Sequence, residues 1–183
     1  LKKGVKLTAA AIAYLTTLGI TQVKVYKKPS IAIVVTGNEL VKAGNNLQYG
    51  QIYESNAIML ISALKQAGYS NISTHIVSDH YEKTLQVLKE VIHENDVILV
   101  SGGISVGDYD FVGKALEELE VIEHFYKVNQ KPGKPLFFGK KDDKIIFALP
   151  GNPAASLSCF YIYVIAAIEK LSGNFNFKLN RVK

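Results

Sequence analysis

The chain has 183 residues, of which 48% are hydrophobic and 20% are charged, a composition that fits one globular domain and excludes a disordered or fibrous chain. The net charge is +5, but the basic residues are spread along the chain and form no long run, which argues against nucleic acid as a partner. Neither a signal-peptide pattern nor a bilayer-spanning apolar stretch is expected, so we predict a cytoplasmic protein without a membrane partner.

Cysteine and histidine usage argues against two common kinds of site. The only cysteine, Cys159, lies in an apolar helical pattern and is predicted to be a buried structural thiol. The histidines fall on different predicted elements without the spacing of zinc ligands, and no Gly-x-Ser-x-Gly elbow is present. The four histidines are His75, His80, His93 and His124.

The first 30 residues are predicted to form a short helix and a short strand. Residues 7–19 have helical character, with Thr8 as the N-cap and Gly19 as the stop. Val23–Tyr26 is predicted as a strand. The linker after it contains Pro29, which interrupts both helical and strand periodicity.

From Ile31 onward, strands and helices alternate. Two continuous apolar runs predict strands buried on both faces, and they cover Ile31–Thr36 and Val97–Val100. Further strands are predicted at Ile72–Val77, Val121–Val128, Leu136–Phe138 and Ile145–Leu149. Helices are predicted at Ser55–Ala67, Tyr81–His93, Phe111–Leu119 and Pro153–Leu171.

This order predicts the fold class α/β. Helices between strands favour a three-layer sandwich, in which a mostly parallel sheet carries helices on both faces. Because the late strands have no helices between them, part of the sheet should be antiparallel, so the sheet is mixed. In an open α/β sheet, ligands bind beyond the carboxyl ends of the strands, and four segments follow predicted strands with unusual residues.

Two of these segments are short turns. In Thr36–Leu40, Gly37 allows a tight turn and Glu39 presents a carboxylate at the edge of the sheet. Leu149–Pro153 is a stiff turn that leads into the last helix, with a proline at the start of that helix.

The third segment, Ser101–Asp110, joins a buried strand to a helix and contains three glycines. Converging backbone N–H groups and a helix N-terminus would suit an anion such as phosphate. Asp108 and Asp110 could cap the helix or hold a divalent cation through oxygen ligands, and the residues leave both interpretations open. The segment matches neither the Walker loop nor the dinucleotide fingerprint.

The fourth segment, Lys127–Pro135, ends in Lys-Pro-Gly-Lys-Pro. Two prolines stiffen the loop and restrict its lysines, and a rigid cationic loop would suit a tetrahedral oxyanion or a phosphate. The alternative is a surface turn whose lysines have no binding role.

Taken together, these motifs resemble the central domain of the MoeA and gephyrin E-domain family, the molybdopterin molybdenumtransferases. The match covers residues 3–173 and includes a fifth motif at Gly50–Asn56. In order, the motifs are Thr36-Gly-Asn-Glu-Leu40, Gly50-Gln-Ile-Tyr-Glu-Ser-Asn56, Ser101-Gly-Gly-Ile-Ser-Val-Gly-Asp-Tyr-Asp110, Lys131-Pro-Gly-Lys-Pro135 and Leu149-Pro-Gly-Asn-Pro153.

The resemblance implies an enzyme of molybdenum cofactor biosynthesis with a MogA-like fold. Such an enzyme takes adenylylated molybdopterin and molybdate, uses Mg²⁺, inserts molybdenum and releases AMP. The implied catalytic residues are Glu39, Asp79 and Asp110, and Asp110 and Glu39 would hold the Mg²⁺. The residues implied in binding molybdopterin or molybdate are Thr36, Gly37, Ser101, Gly102, Gly103, Ser105, Gly107, Asp108, Lys127, Lys131, Lys134, Pro150, Gly151, Asn152 and Pro153.

The resemblance also implies a division of the chain and an assembly. Residues 1–26 would be the tail of a preceding domain, 27–175 the molybdopterin-binding domain, and 176–183 the start of a linker to a C-terminal domain. The full-length protein would be a homodimer. Ala155 departs from the family pattern, in which a serine is common, and Ser156 is adjacent to it.

Two other functions fit the same residues. One is a MogA-type adenylyltransferase, which attaches AMP to molybdopterin, although the Lys-Pro-Gly-Lys-Pro loop and the N-terminal lead-in favour the molybdenumtransferase. The other is a gephyrin-like scaffold module that binds a peptide rather than a pterin.

Overall fold

The computed structural model describes residues 1–104 and 111–178, and it confirms the predicted fold class. Eight strands are present in these ranges: β1 Ile31–Thr36, β2 Leu40–Val41, β3 Ile52–Tyr53, β4 Ile72–Val77, β5 Val97–Ser101, β6 Ile122–Tyr126, β7 Phe137–Lys141 and β8 Lys144–Leu149. The helices are α1 Ala9–Thr17, α2 Asn56–Gln66, α3 Tyr81–Glu94, α4 Phe111–Glu118, α5 Pro153–Cys159 and α6 Ile165–Leu171, and a π-helical segment at Phe160–Val164 joins the last two.

Six strands form the main sheet in the order β4-β1-β5-β8-β7-β6. The first four strands in that order are parallel to one another, whereas β7 runs antiparallel to both β8 and β6. The mixed sheet and its antiparallel late strands are therefore as predicted. Because β6 runs in the same direction as β8, the carboxyl ends of β4, β1, β5, β8 and β6 all lie at one edge.

Each face of the sheet has its own core. Alternate residues of β1 belong to different hydrophobic clusters: Ile33 packs in the cluster that holds α2 and the last helix, and Val34 in the cluster that holds α3 and α4. Side chains alternate across a strand, so a strand covered on both faces has to be apolar at every position. All six residues of β1 are buried, which is why its sequence lacks alternation.

Pro153–Leu171 is long and apolar enough to cross a membrane by length and composition, contrary to the expectation that the chain contains no such segment. Its inward side packs against the sheet instead, where Cys159, Phe160, Val164 and Ile168 are fully buried. The packing accounts for the apolar sequence, because a helix in the centre of a core layer needs apolar residues over a wide face.

The N-terminal residues depart from the prediction in one respect. Thr8 does cap α1, since its Oγ accepts a hydrogen bond from the Ala11 backbone N–H at 3.2 Å. The strand predicted at Val23–Tyr26 is wrong: these described residues form no strand, and Val25 is exposed. A β-branched sequence becomes a strand only where another strand pairs with it, and none lies beside this one in the part of the chain that the structure describes.

The short strands β2 and β3 were not predicted. They pair in parallel, Leu40 with Ile52 and Val41 with Tyr53. Two-residue strands are too short to show the alternation of apolar and polar residues that indicates a strand. In the sequence the segment is therefore only a polar stretch with glycines.

We expect Ile33→Ala to lower the free energy of unfolding by about 2–5 kcal/mol, because Ile33 is fully buried in a central strand. The matched control is Ile76→Ala, a strand isoleucine that is 56% exposed, for which we expect less than about 1 kcal/mol. Urea denaturation measures both values. Equal losses would contradict the assignment of Ile33 to a two-sided core.

Candidate functional site

A cavity of about 800 Å³ opens at the carboxyl edge of the sheet. That volume falls within the range of sites for small molecules and cofactors. It lies where the loops after β1, β4, β5 and β8 meet the start of α2, as the rule for open α/β sheets predicts. Its lining consists of Val35, Thr36, Gly37, Asn38, Glu39, Leu40, Ile52, Tyr53, Glu54, Ser55, Asn56, Asp79, Ser101, Gly102, Gly103, Ile104, Phe111, Gly151, Asn152 and Pro153.

The two glycines after β5 lie directly against Thr36. A Cβ on Gly102 would stand 2.6 Å from the Thr36 carbonyl oxygen, and a Cβ on Gly103 would stand 2.5 Å from Thr36 Oγ1. Both glycines also have positive φ, +86° and +66°. The Gly102 N–H donates to the Leu149 carbonyl at 3.4 Å, so this donor is directed at the sheet. Close approach of two backbones therefore explains these glycines.

The loops after β1 and β4 are joined by a reciprocal pair of hydrogen bonds. The Asn38 backbone N–H donates to the Asp79 carboxylate at 3.2 Å, and the Asp79 backbone N–H donates to Asn38 Oδ1 at 3.0 Å. This pairing holds the Asp79 carboxylate on the wall of the cavity. Asn38 had no predicted role, since an asparagine after a glycine reads as an ordinary turn residue.

Glu39 lies at the rim of the same cavity. Its backbone carbonyl accepts a hydrogen bond from the Ile52 N–H at 2.9 Å, and the Glu54 N–H donates to Val41 at 2.8 Å. These bonds are part of the β2–β3 pairing, so two short strands that the sequence did not predict hold the backbone that carries this carboxylate. A third carboxylate of the lining, that of Glu54, accepts from the Ala57 N–H at 2.8 Å at the start of α2.

Asn56 connects three elements from below the cavity. Its Nδ2 donates to Ser101 Oγ and to the Gly151 carbonyl oxygen, both at 2.8 Å. The side chain therefore ties the first residue of α2 to the end of β5 and to the turn after β8. Sequence reasoning placed Asn56 in a motif but gave it no role, because its partners lie 45 and 95 residues away.

Two buried side chains of the lining have an oxygen that no described residue pairs with. Thr36 is 5% exposed and Asn56 is 8% exposed, and neither Thr36 Oγ1 nor Asn56 Oδ1 has a hydrogen-bond partner among these residues. A buried polar atom without a partner costs about 1–3 kcal/mol, and both of these oxygens are almost completely inaccessible to solvent.

The turn after β8 begins the last helix as predicted. Pro150 is buried, and Pro153 occupies the first turn of α5. Asn152 is the N-cap, and its Oδ1 accepts from the Ala155 N–H at 3.1 Å. Ala155 and Ser156 are both buried, and neither of them is among the residues that line the cavity.

The lysine loop lies at the same edge of the sheet but not in the cavity wall. Lys127, Lys131 and Lys134 are exposed, and none of them is among the residues that line the cavity. Three strand spacings separate β5, which the glycine turn follows, from β6, which the lysine loop follows, roughly 14 Å at about 4.8 Å each. The lysines and the glycine turn thus lie at one edge of the sheet, and their joint role in one site stays a prediction.

Packing against the last helix explains the position of this loop. Gln130 Nε2 donates to the Pro132 carbonyl at 2.9 Å, and the Tyr163 hydroxyl donates to Gln130 Oε1 at 2.9 Å. A Cβ on Gly133 would stand 2.7 Å from Cys159 Sγ. Burial raises the pKa of the Cys159 thiol, so the thiol stays neutral, and the predicted buried structural cysteine is confirmed.

The remaining predicted site residues are not described. Ser105, Gly107, Asp108 and Asp110 lie outside residues 1–104 and 111–178. Within those two ranges, no group of three or more His, Cys, Asp or Glu side chains could hold a metal ion.

Known proteins match the part of the chain that forms this fold. The family described as probable molybdopterin binding domain matches residues 32–170. A molybdopterin molybdenumtransferase of Staphylococcus epidermidis is 36% identical over 173 residues, 94% of this chain and 41% of that protein. One from Nostoc sp. is 42% identical over 171 residues, 92% of this chain and 39% of that protein. The chain thus spans about two fifths of the length of these relatives.

A solved structure has a similar fold. The crystal structure of the molybdopterin biosynthesis moeA protein from Pyrococcus horikoshii superimposes with a TM-score of 0.80 at 33% sequence identity, and the match covers 95% of this chain and 43% of that one.

We expect Gly103→Ala to destabilise the protein by about 1–3 kcal/mol more than Gly44→Ala does, because only the first substitution drives a methyl group into Thr36 and Val112. Both glycines have positive φ, and a Cβ on Gly44 would meet no atom within 4 Å. The control therefore isolates the contact from the backbone strain, which costs about 1–2 kcal/mol. Urea denaturation compares the two variants, and equal losses would show that the contact with Thr36 is loose.

Proposed function

The chain belongs to the probable molybdopterin binding domain family, and on that premise we propose that its cavity binds molybdopterin. The resemblance inferred from the motifs is confirmed by the family match and by the relatives. The single observation that supports the binding proposal is the cavity of about 800 Å³ at the carboxyl edge of the sheet, which is lined by the motif segments after β1, β5 and β8.

We propose the reaction for which the relatives are named, that of a molybdopterin molybdenumtransferase. The ligand is adenylylated molybdopterin, molybdate is the second substrate, molybdenum enters the dithiolene of the pterin, and AMP is released by cleavage of the phosphoanhydride. Because the chain spans about two fifths of these relatives, we propose that other parts of the whole protein contribute to turnover.

Charge in the cavity supports a requirement for a divalent cation. Its described lining contains the carboxylates of Glu39, Glu54 and Asp79 and no lysine or arginine. A phosphoanhydride would be repelled by three carboxylates unless a cation lay between them. Mg²⁺ is commonly held by one or two carboxylates together with substrate phosphates and waters, and Glu39 and Asp79 fit that ligand chemistry. When bound, Mg²⁺ would neutralise charge on the phosphoanhydride.

The protein's own residues then serve mainly to position the ligand. We assign two carboxylates to the charged end of the ligand: that of Asp79, which Asn38 holds, and that of Glu39, whose backbone the β2–β3 pairing holds. Asp110 remains a proposed third carboxylate. Phosphoryl cleavage depends chiefly on positioning and charge stabilisation, which such fixed groups supply.

The lysine loop keeps a proposed role in attracting molybdate. Lys127, Lys131 and Lys134 are exposed at the same edge of the sheet as the cavity. Exposed cations beside a cleft raise the local concentration of an anionic substrate without touching it.

For the whole protein we propose a cytoplasmic homodimer without nucleic-acid or membrane partners. We also propose that residues 1–26 belong to a preceding domain, that 27–175 form the binding domain and that 176–183 begin a linker. The lack of any buried residue in α1 and the start of the family match at residue 32 support the first boundary.

Titration of adenylylated molybdopterin by calorimetry, with and without Mg²⁺, tests the cation proposal. We expect Mg²⁺ to strengthen binding to the wild type by about tenfold or more, and Glu39→Gln to lose most of that gain, because the amide carries no charge to hold the cation. Glu123→Gln is the control, since Glu123 is exposed on β6 outside the cavity. Equal Mg²⁺ dependence in all three proteins would remove Glu39 from the proposed site.

Incubation with molybdopterin and ATP separates the proposed function from its rivals. We expect no adenylylated product, because adenylylated molybdopterin is the substrate of the proposed reaction. Formation of that product would favour the adenylyltransferase, and failure to bind either form of the pterin would favour a scaffold module.

A further inference from the structure

We infer that Asn38 is a positioning residue for the proposed cation: it holds the loop after β4 so that the Asp79 carboxylate stands at the same turn as the Glu39 carboxylate. This inference rests on the proposed function, since it takes Mg²⁺ to bind to these two carboxylates. It adds an uncharged residue that acts on the cation only through Asp79.

The two carboxylates lie against adjacent residues of one turn. The Asp79 carboxylate accepts a hydrogen bond from the Asn38 backbone N–H at 3.2 Å. The Glu39 carboxylate folds back over Gly37, where a Cβ would stand 2.9 Å from Glu39 Oε2. Both acidic residues line the same cavity. The spacing between the two carboxylates therefore depends on how firmly the loop after β4 is joined to this turn.

The Asn38 side chain provides that connection. The regular pairing of β1 with β4 ends at Thr36 with Val77, and the Gly37 N–H adds one bond to the Val77 carbonyl at 3.4 Å. Beyond it, Asn38 Oδ1 accepts from the Asp79 backbone N–H at 3.0 Å. A backbone N–H can only donate, so the atom that faces it has to be the oxygen of the amide. The side chain thus extends the connection between the two strands to the residue that carries the carboxylate.

The chemistry of Mg²⁺ makes this connection matter. The cation requires nearly octahedral coordination with oxygens at about 2.0–2.1 Å, so a carboxylate that moves away loses its contact with the ion. Asn38 is exposed, so water can replace Oδ1 as the partner of the Asp79 N–H. Water does not tie the loop after β4 to the turn after β1, however. We therefore expect the loss of this side chain to weaken cation binding while the protein still folds.

Calorimetric titration of adenylylated molybdopterin into Asn38→Ala, with and without Mg²⁺, tests the inference. The gain from Mg²⁺, which should be about tenfold or more in the wild type, is expected to fall to about threefold or less, the effect of one lost hydrogen bond. Binding without Mg²⁺ should stay within about twofold of the wild-type value, because Asn38 acts through a ligand of the cation, and that binding also shows that the variant is folded.

Asn45→Ala is the matched control. Asn45 is also an exposed loop asparagine, between β2 and β3, and it does not line the cavity. This variant should keep the full gain from Mg²⁺.

A double-mutant cycle separates positioning from a general structural role. Asp79→Asn removes the charge but keeps an oxygen that can accept from the Asn38 N–H. This variant should retain part of the gain through Glu39. In its background we expect Asn38→Ala to cause no further loss, because the group through which Asn38 acts is already neutral. Additive losses would overturn the inference.

The outcomes distinguish this inference from the proposal on which it rests. A full gain in Asn38→Ala beside a reduced gain in Glu39→Gln would overturn the role of Asn38 alone. Wild-type binding that does not depend on Mg²⁺ would overturn the proposed cation, and this inference with it. Wild-type protein that does not bind adenylylated molybdopterin at all would overturn the proposed function.

Discussion

The parallel pairing of β1 with both β4 and β5 is the constraint on which the candidate site depends. It brings the ends of three strands, which are far apart in the chain, to one edge of the sheet. Asp79, Thr36 and Ser101 come together there, and the parallel β5–β8 pair adds the turn at Gly151. Thr36 and Ser101 are the last residues of their strands, and Asp79 and Gly151 follow theirs by two positions, so the register of the sheet sets their relative height. The cavity is a consequence of that register and of two glycines small enough to lie against Thr36.

Polar groups in the cavity are arranged by depth. Neutral side chains are buried and tied to backbone, as Asn56 is to Gly151, while the carboxylates are nearer to solvent and held by loops, as Asp79 is by Asn38. This order limits the cost of desolvation, because a charge at the rim keeps part of its hydration and a neutral amide loses little when it is paired. A ligand with one neutral heterocyclic end and one phosphorylated end matches that arrangement.

The lysine loop illustrates a limit of motif-based inference. Its stiff, lysine-rich sequence suggests an anion site, yet the stiffness serves at least in part to pack Gly133 and Gln130 against Cys159 and Tyr163 of the last helix. The lysines are left exposed beside the cavity rather than inside it. A role in collecting molybdate and a role in packing are compatible, because one residue set faces solvent and the other faces the helix.

The sequence alone determined the layer order, the six strands of the main sheet to within a few residues, and the family. It also determined the turns at Thr36, Ser101 and Leu149. These features leave local patterns, because a strand buried on both faces is continuously apolar and a turn is rich in glycine or proline. Only the tertiary structure decided which polar groups meet. Asn38 with Asp79, and Asn56 with Ser101 and Gly151, are pairs whose separation in the chain carries no periodic signal. It also decided that Val23–Tyr26 is not a strand and that β2 and β3 are. The physical reason is the same in each case. A hydrogen bond between distant segments forms only where the fold brings the two groups together, and the type of a side chain defines its possible partners without selecting one of them.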